Sequence, residues 1–267
     1  MAERAAATTV ARRRANPLAT ILDATTFLTR IPVPGHVAER GATGPAAFGI
    51  VGAAIGLVAT VPLLFGGAAH PLIASVVAVG IVAAISGGLH LDGLADTFDA
   101  LAAPPGAADR ARTDPRAGAA GVVAIVVVLG VDVAALADLA ARGAVVAATA
   151  LVAAAAISRG LAPAWAVIVG RQWRPTDGLG AWFSDLVSGR DAAAAGLSAG
   201  VVGLAAAWLV PGGSATAAVA FLAGTASGAA VAAGALRARR QLDGDGYGAT
   251  IELTFAAILI AAAWSGG

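Results

Sequence analysis

Long apolar stretches alternate along the chain with short polar connections. Seven of these stretches approach the length of about 20 residues that a helix needs to cross about 30 Å of hydrocarbon. They lie near residues 45–66, 70–90, 118–141, 143–169, 192–211, 214–236 and 249–265. Segment 17–31 is amphipathic and ends in IPVP, which favours an interfacial or re-entrant helix. The pattern predicts an all-α, polytopic integral membrane helical bundle with about seven transmembrane helices and this additional N-terminal helix.

The apolar segments are built from small side chains. Hydrophobic residues make up 58% of the 267 positions, charged residues make up 12%, and glycine occurs 35 times. Small residues let transmembrane helices approach each other closely, so tight helix packing is expected. We predict a cytoplasmic N-terminal tail at residues 1–16 and a single membrane-embedded domain at residues 17–267.

Composition also excludes several kinds of chemistry. The chain has no cysteine, so disulfides, thiolate catalysis and cysteine-ligated metals are excluded. A formal net charge of +1 gives no reason to expect nucleic-acid binding.

The arginines predict an orientation in the bilayer. The chain has 17 basic residues, all of them arginine, and 15 fall in connections on one side if successive spans alternate in direction. Short cytoplasmic loops carry the excess of basic residues, so the N-terminus is expected to be cytoplasmic. Most aspartates fall on the same side, and we therefore expect the functional site to face the cytosol.

The stretch GGLHLDGLADTFDA, residues 87–100, concentrates scarce carboxylates. Asp92, Asp96 and Asp99 are spaced i, i+4, i+7, which places them within about 60° of one another on a helix. A solvated helix turn at the membrane surface explains one such aspartate more simply. Three on one stripe favour a cation among them, and oxygen ligands suit Mg²⁺, with Mn²⁺ as the alternative.

A second charged stretch, DRARTDPRAGAAG, covers residues 109–121. Its Arg112, Asp114 and Arg116 could form ordinary surface ion pairs. Next to a carboxylate cluster, however, guanidinium groups complete a metal-plus-arginine clamp of the kind that binds phosphate groups. We therefore predict that these three residues bind substrate.

Together these motifs resemble the cobalamin synthase family, the adenosylcobinamide-GDP ribazoletransferases. The family pattern GGxHLDGLADTxDG followed by DxRxGxxG is matched by GGLHLDGLADTFDA and DPRAGAAG. Further matches are FLTRIPVP at 27–34, ISRG at 157–160, GLG at 178–180 and GDGYGATIE at 244–252. Ala100, Ala120 and Gly246 depart from the usual pattern without removing a carboxylate.

The resemblance implies a transferase of cobalamin biosynthesis in the bacterial cytoplasmic (inner) membrane. Its reaction moves the adenosylcobinamide-phosphoryl group from adenosylcobinamide-GDP to α-ribazole or α-ribazole 5′-phosphate, releases GMP and uses Mg²⁺. The lipid bilayer is an expected partner, and a homo-oligomer and association with other enzymes of the pathway are further expectations.

Each of the remaining polar residues has alternative roles. His90 and Asp99 are alternative bases for the attacking hydroxyl. Arg159 and Glu252 could pair with each other inside the membrane, while their match to family motifs favours a place in the site. Asp245 is expected in a Gly-rich loop, as a ligand of a second cation or of a nucleotide.

Several other positions are predicted to serve structure. Asp132, deep in the third span, is expected at a polar contact between helices. Trp173, Trp182 and Phe183 are interpreted as interfacial anchors.

Two alternative functions differ in the feature that would support them. A CDP-alcohol phosphotransferase needs DGxxAR and a wider spacing of aspartates than DGLAD provides. A cation transporter needs carboxylates near the bilayer midplane, where only Asp132 is expected.

Overall fold

The fold is helical throughout the part of the chain described by a computed structural model, residues 16–33, 44–104, 117–210 and 213–265. These residues form eleven α-helices and no β-strand. In chain order the helices are α1 (Pro17–Leu28), α2 (Phe48–Ala59), α3 (Val61–Gly66), α4 (Pro71–Ser86), α5 (Leu89–Ala102), α6 (Ala119–Arg142), α7 (Ala144–Trp165), α8 (Gly178–Leu186), α9 (Gly189–Trp208), α10 (Gly213–Arg239) and α11 (Gly244–Ser265). A 3-10 turn, Pro45–Ala47, precedes α2, and a π-helical turn, Ala166–Gly170, continues α7.

The apolar helices confirm a multi-pass membrane bundle. Within the described ranges, six helical segments are long and apolar enough to cross a membrane, and α4 with α5 makes a seventh if that bent pair counts as one span. Helix α11 is the central element, because 83% of its most apolar window is buried, compared with 28% to 56% for the other five. It packs against α5, α6, α7 and α10.

A sharp break separates α4 from α5. The two helices meet at 90°, and the linking residues Gly87 and Gly88 have φ angles of 63° and 71°. This left-handed conformation is one that glycine adopts without steric cost. The predicted span over 70–90 is therefore wrong at its end: it stops at Ser86, and the aspartate stretch forms a separate helix that turns aside.

Helix α11 begins earlier than the sequence predicted. We expected residues 243–248 to be a loop, but the helix starts at Gly244. Asp243 caps it, because its Oδ1 accepts a hydrogen bond from the amide of Gly246 at 3.0 Å. Asp245 consequently lies in the first turn of a helix and not in a flexible connection.

Helix α1 is a short element that packs against α2. Asn16 caps its start by accepting a hydrogen bond from the amide of Leu18 at 3.1 Å. Its 12 residues extend only about 18 Å, which is too short to cross the bilayer. The chain then returns beside the break between α4 and α5, where the Arg30 amide donates to the carbonyl oxygen of Ile85 at 2.8 Å.

Candidate active site

A cavity of about 410 Å³ opens where α1, α2, α5, α8 and α11 meet. Of the described residues, four carboxylates line it, and no arginine does; the carboxylates are those of Asp92, Asp177, Asp243 and Asp245. The described part of the lining therefore concentrates carboxylates. Carboxylate groups of this kind are ligands that divalent cations prefer.

The backbones of α5 and α11 touch at the carboxylate end of this cavity. A Cβ atom added at Gly93 would lie 2.8 Å from the carbonyl oxygen of Asp245, and one added at Gly248 would lie 3.1 Å from that of His90. Both distances are shorter than ordinary contacts of carbon with oxygen. The glycines of the DGLAD and GDGYG motifs thus bring the two helices together and place Asp92 and Asp245 on the same cavity.

Helix α5 separates the three aspartates of its stripe. Asp92 is exposed and lines the cavity, whereas Asp96 is partly buried one turn further along and does not line it. Asp99 is about 10 Å from Asp92 along the helix axis, given a rise of about 1.5 Å per residue. The three carboxylates of the stripe therefore do not meet at one point.

Asp99 caps the N-terminus of α6. Its Oδ2 accepts a hydrogen bond from the amide of Gly118 at 2.7 Å, and its Oδ1 accepts one from the amide of Gly121 at 2.8 Å. A Cβ atom at either glycine would lie 2.4 to 2.5 Å from a carboxylate oxygen of Asp99. This placement gives Asp99 a structural role and explains both glycines of DPRAGAAG, while its role as a metal ligand or base stays a prediction.

A cluster of charged groups is buried behind the cavity. His90 lines the cavity, and its Nδ1 lies 3.7 Å from Oε1 of Glu252. Arg159 is fully buried and interacts electrostatically with Glu252 and Asp132. Its guanidinium also donates to Ser158 Oγ at 3.0 Å and lies 5.5 Å from the ring centroid of Phe255.

Arg159 and Glu252 were expected to line the site, and the structure places them one layer behind it. In the described part of the chain, Arg159 Nε and Nη2 and Asp132 Oδ1 are buried without a hydrogen-bond partner, so the charges of this cluster interact only at longer range. The pairing of Arg159 with Glu252 and the polar contact of Asp132 therefore stay predictions. Arg112, Asp114 and Arg116 lie outside the described residues, so their substrate-binding role stays a prediction.

The carboxylates of the cavity suit a divalent ion that is bound by the protein and the substrate together. Among the described residues, no three histidine or carboxylate side chains are close enough to form a complete metal site. Mg²⁺ usually takes only one or two protein carboxylates and completes its shell with water and substrate phosphates. Asp92 and Asp245, on two helices that touch beside one cavity, match that requirement.

The cavity also has an aromatic part, which was not among the predicted site residues. Phe27, Phe48 and Phe183 line it together, and Tyr247 packs its edge against Phe183 at a centroid distance of 5.2 Å. Phe183 had been interpreted as a membrane anchor, but only 3% of it is exposed. Its location after the GLG motif was a usable signal, because Gly180 packs directly on the backbone of Asp243.

The chain also matches a known protein family. A family model described as cobalamin-5-phosphate synthase matches residues 20–263, which is most of the chain. The chain belongs to the cobalamin-5-phosphate synthase family. This confirms the resemblance carried by the aspartate, DPRAGAAG and GDGYGATIE motifs, all of which lie within the matched range.

Individual relatives carry a more specific name. The chain is similar to the adenosylcobinamide-GDP ribazoletransferases of Pseudomonas paraeruginosa (39% identity over 133 residues), Allorhizobium ampelinum (38% over 123) and Thiobacillus denitrificans (38% over 120). These alignments cover 45%, 42% and 41% of this chain and 51%, 46% and 47% of the relatives. The chain thus spans about half the length of the curated relatives it matches. No solved structure matches it.

Proposed function

We propose that the chain is a Mg²⁺-dependent transferase that moves the adenosylcobinamide-phosphoryl group from adenosylcobinamide-GDP to α-ribazole or α-ribazole 5′-phosphate. A ribose hydroxyl oxygen of the acceptor forms a bond to the phosphorus attached to cobinamide. The bond from that phosphorus to the bridging oxygen breaks, GMP leaves, and the hydroxyl proton is released. Family membership and the names of the relatives support this reaction.

The observation that carries the proposal is the group of carboxylates on the cavity. Four aspartates are among the described lining residues, and such oxygen ligands suit a divalent ion that binds together with a diphosphate. Asp92 and Asp245 would hold Mg²⁺, and Asp96 lies one turn from Asp92 on the same helix. When bound, Mg²⁺ neutralises diphosphate oxygens and makes GMP a better leaving group.

The other residues of the site position the reactants. Asp243 fixes the start of α11 and thereby the location of Asp245. His90 lines the cavity, and its Nδ1 lies 3.7 Å from Oε1 of Glu252; it would serve as a hydrogen-bonding group for the acceptor hydroxyl. Arg112 and Arg116 would contact phosphate oxygens in two-point hydrogen bonds, with Asp114 orienting them.

The site is proposed to face the cytosol from the bacterial cytoplasmic membrane, with the N-terminus also cytoplasmic. Arg171, Arg174 and Arg240 border the segments that line the cavity, which places basic residues at the cavity end of the bundle. The positive-inside rule assigns that end to the cytosol. Self-association and association with pathway enzymes remain predictions.

Reconstitution tests the proposal directly. The purified chain in nanodiscs is incubated with adenosylcobinamide-GDP and α-ribazole, with and without Mg²⁺, and the release of GMP and formation of the cobamide are measured. We expect product only with Mg²⁺, a loss of about 100-fold or more in Asp92→Asn, and near-normal activity in Asp138→Asn. Asp138 pairs with Arg142 at the far end of α6 and is therefore a matched control.

Two results would contradict the proposal. Wild-type chain that forms no product under these conditions excludes the reaction. Full activity in Asp92→Asn excludes the role assigned to the carboxylates of the cavity.

A further inference from the structure

The aromatic residues of the cavity form one continuous wall. The ring centroids of Phe27 and Phe48 are 5.6 Å apart, and Phe183 lies 5.8 Å from each of them. The angles between the three ring planes are 20° or less. Near-parallel rings from α1, α2 and α8 thus pack together where the three helices border the cavity.

Phe27 is the member of this wall that a ligand can reach. Phe48 and Phe183 are only 1% and 3% exposed, whereas Phe27 is partly exposed on the cavity side. The two buried rings and Trp182 pack against Phe27 and limit its orientations. A ligand that covers the exposed part of Phe27 is stabilised, because covering it removes apolar area from water.

Three aliphatic residues line the same cavity. Leu28, Ala162 and Ile251 have side chains without a hydrogen-bond donor or acceptor, while Thr176 and Gln241 are polar members of the lining. A flat ring with a polar edge that lies against the aliphatic side chains would leave its amide or amino groups unpaired, which is costly. A flat ring with an apolar edge meets no such penalty.

We propose that this wall is the binding subsite for the aromatic base of the acceptor nucleoside, and that Phe27 is its stacking residue. The inference rests on the proposed function and names the part of the substrate that selects the acceptor. The cavity volume of about 410 Å³ suits one nucleoside, whereas a corrin ring with its nucleotide arm is several times larger and must remain outside. With the base on Phe27, the ribose extends toward the carboxylate part of the lining.

The subsite predicts a preference among bases. The dimethylbenzimidazole of α-ribazole is a bicyclic ring with methyl groups on its edge, so it matches the apolar lining. Adenine in the same α linkage has the same ring size and an amino group that finds no partner on the wall. We therefore expect α-ribazole to be preferred over the α-linked adenine nucleoside.

Kinetics and binding of conservative variants test the proposal in the intact chain in nanodiscs. Phe27→Leu should raise KM for α-ribazole about tenfold, because the variant lacks the aromatic ring on which the base stacks. Its kcat and its KM for adenosylcobinamide-GDP should change less than about twofold. Phe27→Tyr keeps the ring and should bind α-ribazole as the wild type does.

Phe65→Leu is the matched control, because Phe65 is 89% exposed on α3 and does not line the cavity. Equilibrium dialysis of α-ribazole without the second substrate gives the same comparison in the absence of turnover. The subsite is therefore tested even if wild-type chain forms no product, a result that would reject only the proposed reaction.

Three outcomes would overturn the inference. The first is unchanged α-ribazole binding in Phe27→Leu. The second is an equal rise in KM for adenosylcobinamide-GDP, which would assign the wall to guanine. The third is equal binding of the adenine and dimethylbenzimidazole nucleosides.

Discussion

A Cβ atom at position 93 would lie 2.8 Å from the carbonyl oxygen of Asp245, so α5 and α11 are in contact through their backbones. The contact joins the two motifs that carry Asp92 and Asp245, two of the four cavity carboxylates. It fixes these two residues relative to each other on rigid helices, as the proposed binding of an ion and a diphosphate in one geometry requires.

This contact predicts the effect of a single methyl group. Gly93→Ala should force α11 away from α5, lower stability by about 1–3 kcal/mol and reduce GMP release more than tenfold. Gly80→Ala is the control, since a Cβ atom there meets nothing within 4 Å and alanine favours the helix. Thermal unfolding in detergent and initial rates measure both effects; equal behaviour of the two variants would contradict the close contact.

Asp99 should act through helix α6 and not through a bound ion. Asp99→Ala removes the cap of that helix and should lower stability by about 0.5–2 kcal/mol. The Mg²⁺ concentration that gives half-maximal activity should stay within about twofold of the wild-type value, because capping does not change the ligands of the ion. A large rise in that Mg²⁺ concentration would indicate that Asp99 is a ligand of the ion.

The approximate positions of the membrane spans could be predicted from the lengths of the apolar stretches. The break after Ser86 could not be predicted, because a pair of glycines is compatible with both a continuous transmembrane helix and a turn. Only the positive φ angles of Gly87 and Gly88 distinguish the two. The sequence also predicted correctly that the three aspartates lie on one helix. The contacts of each aspartate could not be predicted, because they depend on where α6 and α11 begin.

The two glycines of the break should differ in sensitivity. Both adopt left-handed conformations, so alanine at either position costs about 1–2 kcal/mol. A Cβ atom at Gly87 would also lie 2.2 Å from Cγ of Arg30, whereas one at Gly88 meets nothing within 4 Å. Thermal unfolding should therefore show a larger loss for Gly87→Ala than for Gly88→Ala, and the reverse order would contradict the packing of Arg30.

The buried charge cluster should matter for folding. Arg159→Met leaves Glu252 and Asp132 without their buried cation and should lower stability by about 3–5 kcal/mol. The control is Arg174→Met, which removes a pair with Asp185 whose side chains are 50% and 62% exposed. Such exposed pairs contribute about 0–1 kcal/mol. Denaturation followed by circular dichroism compares the two, and equal losses would contradict a structural role of the buried cluster.

The aromatic wall shows what sequence reasoning cannot supply for a site of this kind. Phe27, Phe48 and Phe183 are far apart in the chain, and each is an ordinary apolar residue in its own segment. Motif matching finds residues with distinctive chemistry, such as aspartates. The stacking of these three rings is recognised only from the fold, in which three helices bring the ring centroids within 5.6 to 5.8 Å of one another.

Divalent-ion binding is the most direct test of the central claim that the cavity carboxylates hold a cation together with the diphosphate. Mn²⁺ binding is measured by electron paramagnetic resonance in the presence of adenosylcobinamide-GDP for wild type, Asp92→Asn, Asp245→Asn and Asp138→Asn. We predict that affinity falls about tenfold or more in the first two variants and is unchanged in the third. Equal affinity in wild type, Asp92→Asn and Asp245→Asn would contradict the account.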